Sequence, residues 1–367
     1  MSWEKWLKNR VTSADELFEL LHSSPDEKIK LNTILENFPM AIPEYYLNLV
    51  DLNDPDDPIG RMCLPSIMEL DMTGSFDTSG ESGNTVITGT QHKYDQTALI
   101  LSTSNCAMYC RHCFRKRLVG LSDKEILSHF DEMMKYISSH TEISNVLVSG
   151  GDAFLNSNEN IERFLDGLCG IDHLDFIRFG TRTPVVLPAR IYEDEELLAL
   201  LKKYSRKKHL YVVTQFNHPR ELTDEARRAI DVLGECGLQV KNQTVLLRGV
   251  NDDPKTLAEL MRGLTRFGIA PYYVFQCRPV SGVGTQFQVP LREGCRIVDE
   301  AKNMLCGPAK CFRYAMSHET GKIEILGSAG GNDMLFKYHQ AKYKEDASRI
   351  FTASVSDGQA WLEKIPK

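Results

Sequence analysis

Three thiols stand close together in Cys106-Ala-Met-Tyr-Cys110-Arg-His-Cys113, spaced Cys-x3-Cys-x2-Cys, just after the apolar run Ala98-Leu-Ile-Leu101. Cysteines this close are poorly placed to pair as disulfides, and three of them leave a tetrahedral metal one ligand short. A 4Fe-4S cluster has four irons, which cysteine thiolates normally hold. With three thiolates one iron stays open to a ligand that is not protein. The competing readings are a zinc site made of these cysteines and His112, or three unrelated thiols.

The elements that must carry this stretch begin near residue 97. Short β-rich runs at 97–103, 145–149, 175–180, 209–215, 239–246 and 270–276 alternate with amphipathic helical patterns, the grammar of βα units and a parallel sheet. Helix starts are marked by Ser122-Asp-Lys-Glu125, by Thr223 before an acidic turn and by Asp253-Pro254, while Glu195–Tyr204 and about 292–305 read as further helices. Six units fall short of a closed eight-stranded barrel. They predict an α/β fold, an open partial (β/α)6 TIM-like barrel with its chemistry at the C-terminal strand ends. The expected organisation is a helical and loop extension over 1–95, the barrel over 96–305, and a hairpin and tail over 306–367. In the extension, Ser13 and Glu16 have capping-box spacing, and the Gly-, Ser- and Thr-rich 73–90 reads as an extended connector.

Polar clusters follow each predicted strand. Ser149-Gly150-Gly151-Asp152 offers close backbone approach and a carboxylate for an ammonium group, or a tight turn capping a helix. Arg182 can pair with a ligand carboxylate or form a structural salt bridge. Asn217 and His218 can meet a base or ribose, or be satisfied in the core; Asn242 and Gln243 can serve as polar ligands inside the barrel. Arg115, two residues past Cys113, starts the basic run Arg115-Lys116-Arg117 and is an anchor for a substrate carboxylate, unless the run is only solvated. Arg278, after the sixth strand, favours an anionic substrate group if it faces inward.

A net charge of -7 gives no electrostatic reason to bind a nucleic acid. Neither a signal-like apolar core nor a membrane-length apolar run is visible. Ten cysteines without a secretion signal argue for reduced thiols and a cytoplasmic protein.

Taken together, these residues resemble the lysine 2,3-aminomutase family of radical S-adenosylmethionine (SAM) enzymes. The likeness runs through Trp3–Arg10, Ile42–Tyr46, Tyr109–Cys113, Ser149–Asp152, Arg182–Val186, Phe216–Pro219, Asn242–Leu247, Gly249–Asp252 and Pro271–Tyr273 to Cys277. It implies a 4Fe-4S cluster on Cys106, Cys110 and Cys113, and SAM on the open iron with contacts from the Gly150-Gly151-Asp152 turn; Arg182, Gln243 and His218 are the cofactor-binding candidates read from the polar clusters themselves. It also implies a substrate carboxylate on Arg115, a reducing partner such as flavodoxin or ferredoxin, and oligomer contacts from the tail.

Two departures from the family pattern bear on substrate and mechanism. Lysine-specific members carry an acidic residue where this chain has Arg278, which points to a neutral or acidic amino-acid-like substrate. Family members carry pyridoxal phosphate (PLP) on a lysine in a Pro-Gly-Gly-Gly-Gly-Lys loop that is missing here. One alignment places Lys322 at that lysine; another makes it a turn residue of a hairpin over Tyr314–Leu326. The expected activity is therefore aminomutase-like 2,3-amino migration. The alternatives are a PLP-independent radical epimerase, lyase or dehydratase, or modification of a protein lysine.

Overall fold

The computed structural model describes residues 3–21, 25–116 and 127–366. Among them, a short pair of strands, Arg10–Val11 and Ile42–Pro43, stands apart from one 12-stranded sheet whose strands each pair with their neighbours in sequence. Its strands are β1 (Thr85–Ile87), β2 (Thr90–Tyr94), β3 (Thr97–Thr103), β4 (Asn145–Gly150), β5 (Phe176–Gly180), β6 (His209–Thr214), β7 (Gln239–Leu246), β8 (Ala270–Gln276), β9 (Arg313–His318), β10 (Gly321–Gly330), β11 (Asp333–Ala341) and β12 (Ile350–Ser354). Strands β3 to β9 run parallel. The strands added at either edge are antiparallel.

The six strands expected from alternation are all present, and three of them have the predicted bounds. The parallel run holds a seventh, because β9 pairs with β8 through Tyr273, Val274 and Phe275. Periodicity marks β9 as a hairpin arm but says nothing about what lies along its other edge. The hairpin itself is real: His318 pairs with Gly321 across the two-residue turn Glu319-Thr320.

Helices α1 (Phe130–Ser139), α2 (Asn158–Cys169), α3 (Glu195–Ser205), α4 (Asp224–Glu235), α5 (Pro254–Arg266) and α6 (Leu291–Asn303) pack outside the parallel strands. Side-chain caps fix the starts of α2 to α5. Asp194 accepts from the Leu197 N–H at 2.8 Å, Thr223 from Ala226 at 3.1 Å and Asp253 from Thr256 at 2.8 Å. Ser13 and Glu16 form their capping box, each accepting from the other's backbone N–H. The predicted cap at Ser122–Glu125 and Arg117 lie outside the described residues. In β7 the alternation sorts chemistry by face. Val240, Asn242, Thr244 and Leu246 are buried toward the helices, while Lys241, Gln243 and Val245 line the interior.

The connector over 73–90 is more structured than expected, with a helical turn at Glu81–Asn84 and then β1. Asp77 holds that turn by accepting from the Glu81 N–H at 2.7 Å. The connector covers the loop after β8, with the Ser75 N–H donating to Pro279 O at 3.0 Å. Lys93 on β2 donates to His318 O at 2.6 Å, so the two ends of the barrel run meet. No described helix is long and apolar enough to cross a membrane.

Candidate active site

The barrel encloses a cavity of about 850 Å³, and Cys106, Cys110 and Cys113 all line it. The N-terminal extension grips the loop that carries them. Arg10 donates to Cys106 O at 2.9 Å, Tyr109 N–H to Ala41 O at 3.0 Å and Arg111 N–H to Met62 O at 2.9 Å. The Arg111 side chain is buried against the Glu69 carboxylate, which also takes Lys116 at 2.7 Å. A loop held by this many backbone contacts keeps its thiols in place before any metal binds.

The two glycines after β4 serve this loop more than a ligand. Gly151 N–H donates to Thr103 O at 2.6 Å, and Asp152 N–H to Asn105 O at 2.8 Å. A Cβ on Gly151 would stand 2.3 Å from Asn105 O, and Gly150 has φ +123. Gly151→Ala is therefore expected to displace the cysteine loop at about 1–3 kcal/mol. A lowered melting temperature with reduced iron uptake checks this; an unchanged iron content contradicts it.

Burial pushes the Cys106 thiol well up and Cys113 up to about 11; the Cys113 and Cys110 thiols add to the first shift and Cys110 to the second. The apoprotein thus keeps Cys106 and Cys113 protonated, and metallation must release those protons. Among the described residues no three His, Cys, Asp or Glu groups converge on a single-ion position. His112 is engaged elsewhere: Nε2 lies 3.3 Å from Asn217 Nδ2, and the ring packs edge-on against Phe287.

Several predicted ligand contacts turn out to be structural. The Asp152 carboxylate accepts from Thr181 and Thr183 hydroxyls and from the N–H groups of Phe154 and Arg182. It caps a turn, as the simpler reading had it. Arg182 lines the cavity but is held by Glu221, Tyr46 and Gln215 O, with Nη1 2.8 Å from Cys110 Sγ. That contact places a cation beside one cluster thiol. His218 caps the turn at Pro219–Glu221 and Asn242 is tied to Phe216, and neither lines the cavity. Ser149 and Gln243 do line it.

Arg115 stays close to the cluster loop. Its N–H lies 3.3 Å from Cys113 Sγ, and its guanidinium meets Glu81 at 3.0 Å and Ser149 Oγ at 3.4 Å. Arg278 faces inward across the Phe114 ring from it, 4.2 Å from the ring centroid. Arg278 donates to Ser317 at 2.8 Å, while its Nη1 is buried without a partner. Burial brings Arg278 down to about 10.

Lys322 belongs to the hairpin and to the cavity at once. It is the second residue of β10, and its amine lies over the rings of Tyr94 at 5.7 Å and Tyr273 at 5.2 Å. Burial first, then the charges of Arg178 and Arg278, bring its pKa from 10.5 to about 7. The unfolded chain binds the extra proton between those values, so Lys322 lowers stability fully below pH 7 and less as pH rises toward 10.5. Lys322→Met should raise the melting temperature near pH 6.5 and lose that gain by about pH 10. A gain independent of pH in paired melting curves contradicts the assignment.

With this geometry in place, the wider kinship can be read. Residues 100–261 match the model of the Radical SAM superfamily. An Aquifex aeolicus protein named for L-lysine 2,3-aminomutase is 38% identical over 340 residues, spanning 92% of this chain and 90% of its own. The chain belongs to the lysine 2,3-aminomutase family of radical SAM enzymes. L-lysine 2,3-aminomutase of Fusobacterium nucleatum is 37% identical over 342 residues (92% of this chain, 77% of its own). Glutamate 2,3-aminomutase of Clostridioides difficile is 36% identical over 308 residues (83% and 72%). Membership of the lysine 2,3-aminomutase family brings a 4Fe-4S cluster and SAM, and members also use PLP.

Sequence reasoning missed four charged residues of this family member's cavity: Glu81, Lys93, Arg178 and Lys241. Arg178 and Lys241 occupy inward positions of strands that the sequence already suggested. A cation on the inner face of a barrel strand was the available signal. Glu81 sat in the supposedly structureless connector and gave none.

Proposed function

We propose that the protein is a radical SAM isomerase of the aminomutase type whose amino-acid-like substrate is not lysine. One observation carries this reading: the three-cysteine loop and Arg115 open into a single enclosed cavity. Cys106, Cys110 and Cys113 hold three irons of the cluster, and Ser149 with the Gly150–Gly151 edge borders the place for SAM. When bound, cluster and SAM supply, with one electron from a flavodoxin- or ferredoxin-like donor, a 5′-deoxyadenosyl radical that takes a hydrogen atom from the substrate. Arg115 binds the substrate carboxylate in place of Glu81. Arg278, 4.2 Å from the ring it shares with Arg115, opposes a distal ammonium by like charge. Arg182 keeps positive charge against the Cys110 sulfur, and the hairpin and connector exclude water.

Lys322 is a cavity amine that would hold PLP, and its pKa of about 7 leaves a large share of it neutral and nucleophilic near pH 7. The missing Gly-rich loop favours the second reading, hydrogen-atom chemistry without PLP such as epimerisation. Borohydride reduction of PLP-treated protein separates the two. Label on Lys322 supports amino migration, and no lysine labelled supports the second reading. The main test is incubation with SAM, a strong one-electron reductant and a panel of deuterated amino acids. Deuterium should enter 5′-deoxyadenosine from an acidic or neutral amino acid. Transfer from lysine above all others contradicts the proposal.

A further inference from the structure

The wall of the cavity carries three further basic side chains. Arg178 is the third residue of β5, Lys241 the third of β7 and Lys322 the second of β10. Among the described residues no carboxylate pairs with any of them. Arg178 donates to Asn145 Oδ1 at 2.6 Å, and its Nε is buried without a partner. Lys241 lies between the rings of Tyr211 at 4.8 Å and Tyr272 at 5.3 Å, and Lys322 between those of Tyr94 and Tyr273.

The acids that line the same cavity are Glu81 and Asp152. Glu81 is paired with Arg115, and Asp152 is spent on four donors of its own turn. Aromatic faces give a buried cation much less than a carboxylate does. Three basic side chains gathered on one wall without a carboxylate among them, Arg178 and Lys241 charged and Lys322 ready to take up a proton, are therefore suited to an anion that arrives with a ligand.

We infer that Arg178, Lys241 and Lys322 form an anion subsite, which receives a carboxylate or phosphate group at the end of the ligand remote from Arg115. The surrounding tyrosines leave room for a flat or extended linker between the two ends. This inference deepens the proposed function by giving the ligand a second negative group, and rests on it only for what that ligand is.

The test uses the full chain with its cluster reconstituted, and titration calorimetry. Two probe pairs differ in one charge-bearing group: L-glutamate against L-glutamine, and pyridoxine 5′-phosphate against pyridoxine, which lacks an aldehyde and cannot be trapped by an amine. At least one anionic probe should bind tenfold or more tightly than its neutral counterpart. That preference should fall below threefold in the double variant Arg178→Gln/Lys241→Met and persist in Arg178→Lys. Unaltered SAM binding by each variant verifies its fold. A glutamate preference assigns the subsite to a distal carboxylate of the substrate, and a phosphate preference to a phosphate ester. Less than tenfold discrimination in both pairs, or a preference above threefold in the double variant, overturns the inference. Neither outcome depends on SAM cleavage, so a wild-type protein that forms no 5′-deoxyadenosine would sink the proposed function separately.

Discussion

Alanine in place of Cys106, Cys110 or Cys113 should each leave a folded protein with no 4Fe-4S cluster. The loop is held in place by backbone contacts from the extension, through Arg10, Ala41 and Met62, and none of these depends on a thiol. Removing a buried thiol costs the fold little, whereas removing one of three ligands leaves two thiolates for a cubane that already lacks its fourth. Cys110 makes the sharpest case, because Arg182 Nη1 sits 2.8 Å from its sulfur and would be left facing an alanine methyl. Iron and sulfide analysis after anaerobic reconstitution reads the result. Near-wild-type iron and sulfide in all three variants would show that these cysteines are not the ligands.

Arg115→Met is expected to spare the cluster and SAM binding and to lower kcat/KM by roughly a hundredfold. That is the loss of a charge-assisted pair of about 3 kcal/mol. The loss should appear mainly in KM if the guanidinium only binds the carboxylate, and in kcat as well if it also orients the reacting carbon. Arg115→Lys should recover part of it, since an ammonium restores charge without the bidentate fork. Arg115 emerges from the loop beside Cys113 and carries Glu81 as its counter-ion. Its removal therefore also takes a counter-ion from the buried Glu81 carboxylate, and a small fall in melting temperature should accompany the kinetic loss. Unchanged kinetics would place the substrate carboxylate elsewhere, with Arg278 the first alternative.

The barrel was legible because its strands alternate or run apolar over lengths that helices rarely match, and because Thr223 and Asp253 announce the helices behind them. The seventh parallel strand was not, since pairing partners are a tertiary fact and Arg313–His318 reads equally well as a hairpin arm. The cysteine loop and Arg115 were read from spacing alone, as adjacency in sequence forces adjacency in space. Asp152, His218 and Asn242 misled for one shared reason. Asx and His side chains satisfy backbone N–H groups as readily as ligands: Asp152 and His218 cap their own turns, and Asn242, in the middle of β7, takes the Phe216 N–H on the neighbouring loop. Lys322 was framed as either the PLP lysine or a hairpin-turn residue; the strands place it on the hairpin, just past the turn, and its side chain lines the cavity.

The central claim is that the cluster has one iron without a protein ligand and that SAM takes it. Electron paramagnetic resonance of the reduced, reconstituted protein tests this directly, before and after addition of SAM carrying nitrogen and oxygen isotope labels in its amino and carboxylate groups. The account predicts a cluster signal that shifts on SAM addition and shows hyperfine coupling to both labels. A 4Fe-4S signal indifferent to SAM would contradict it.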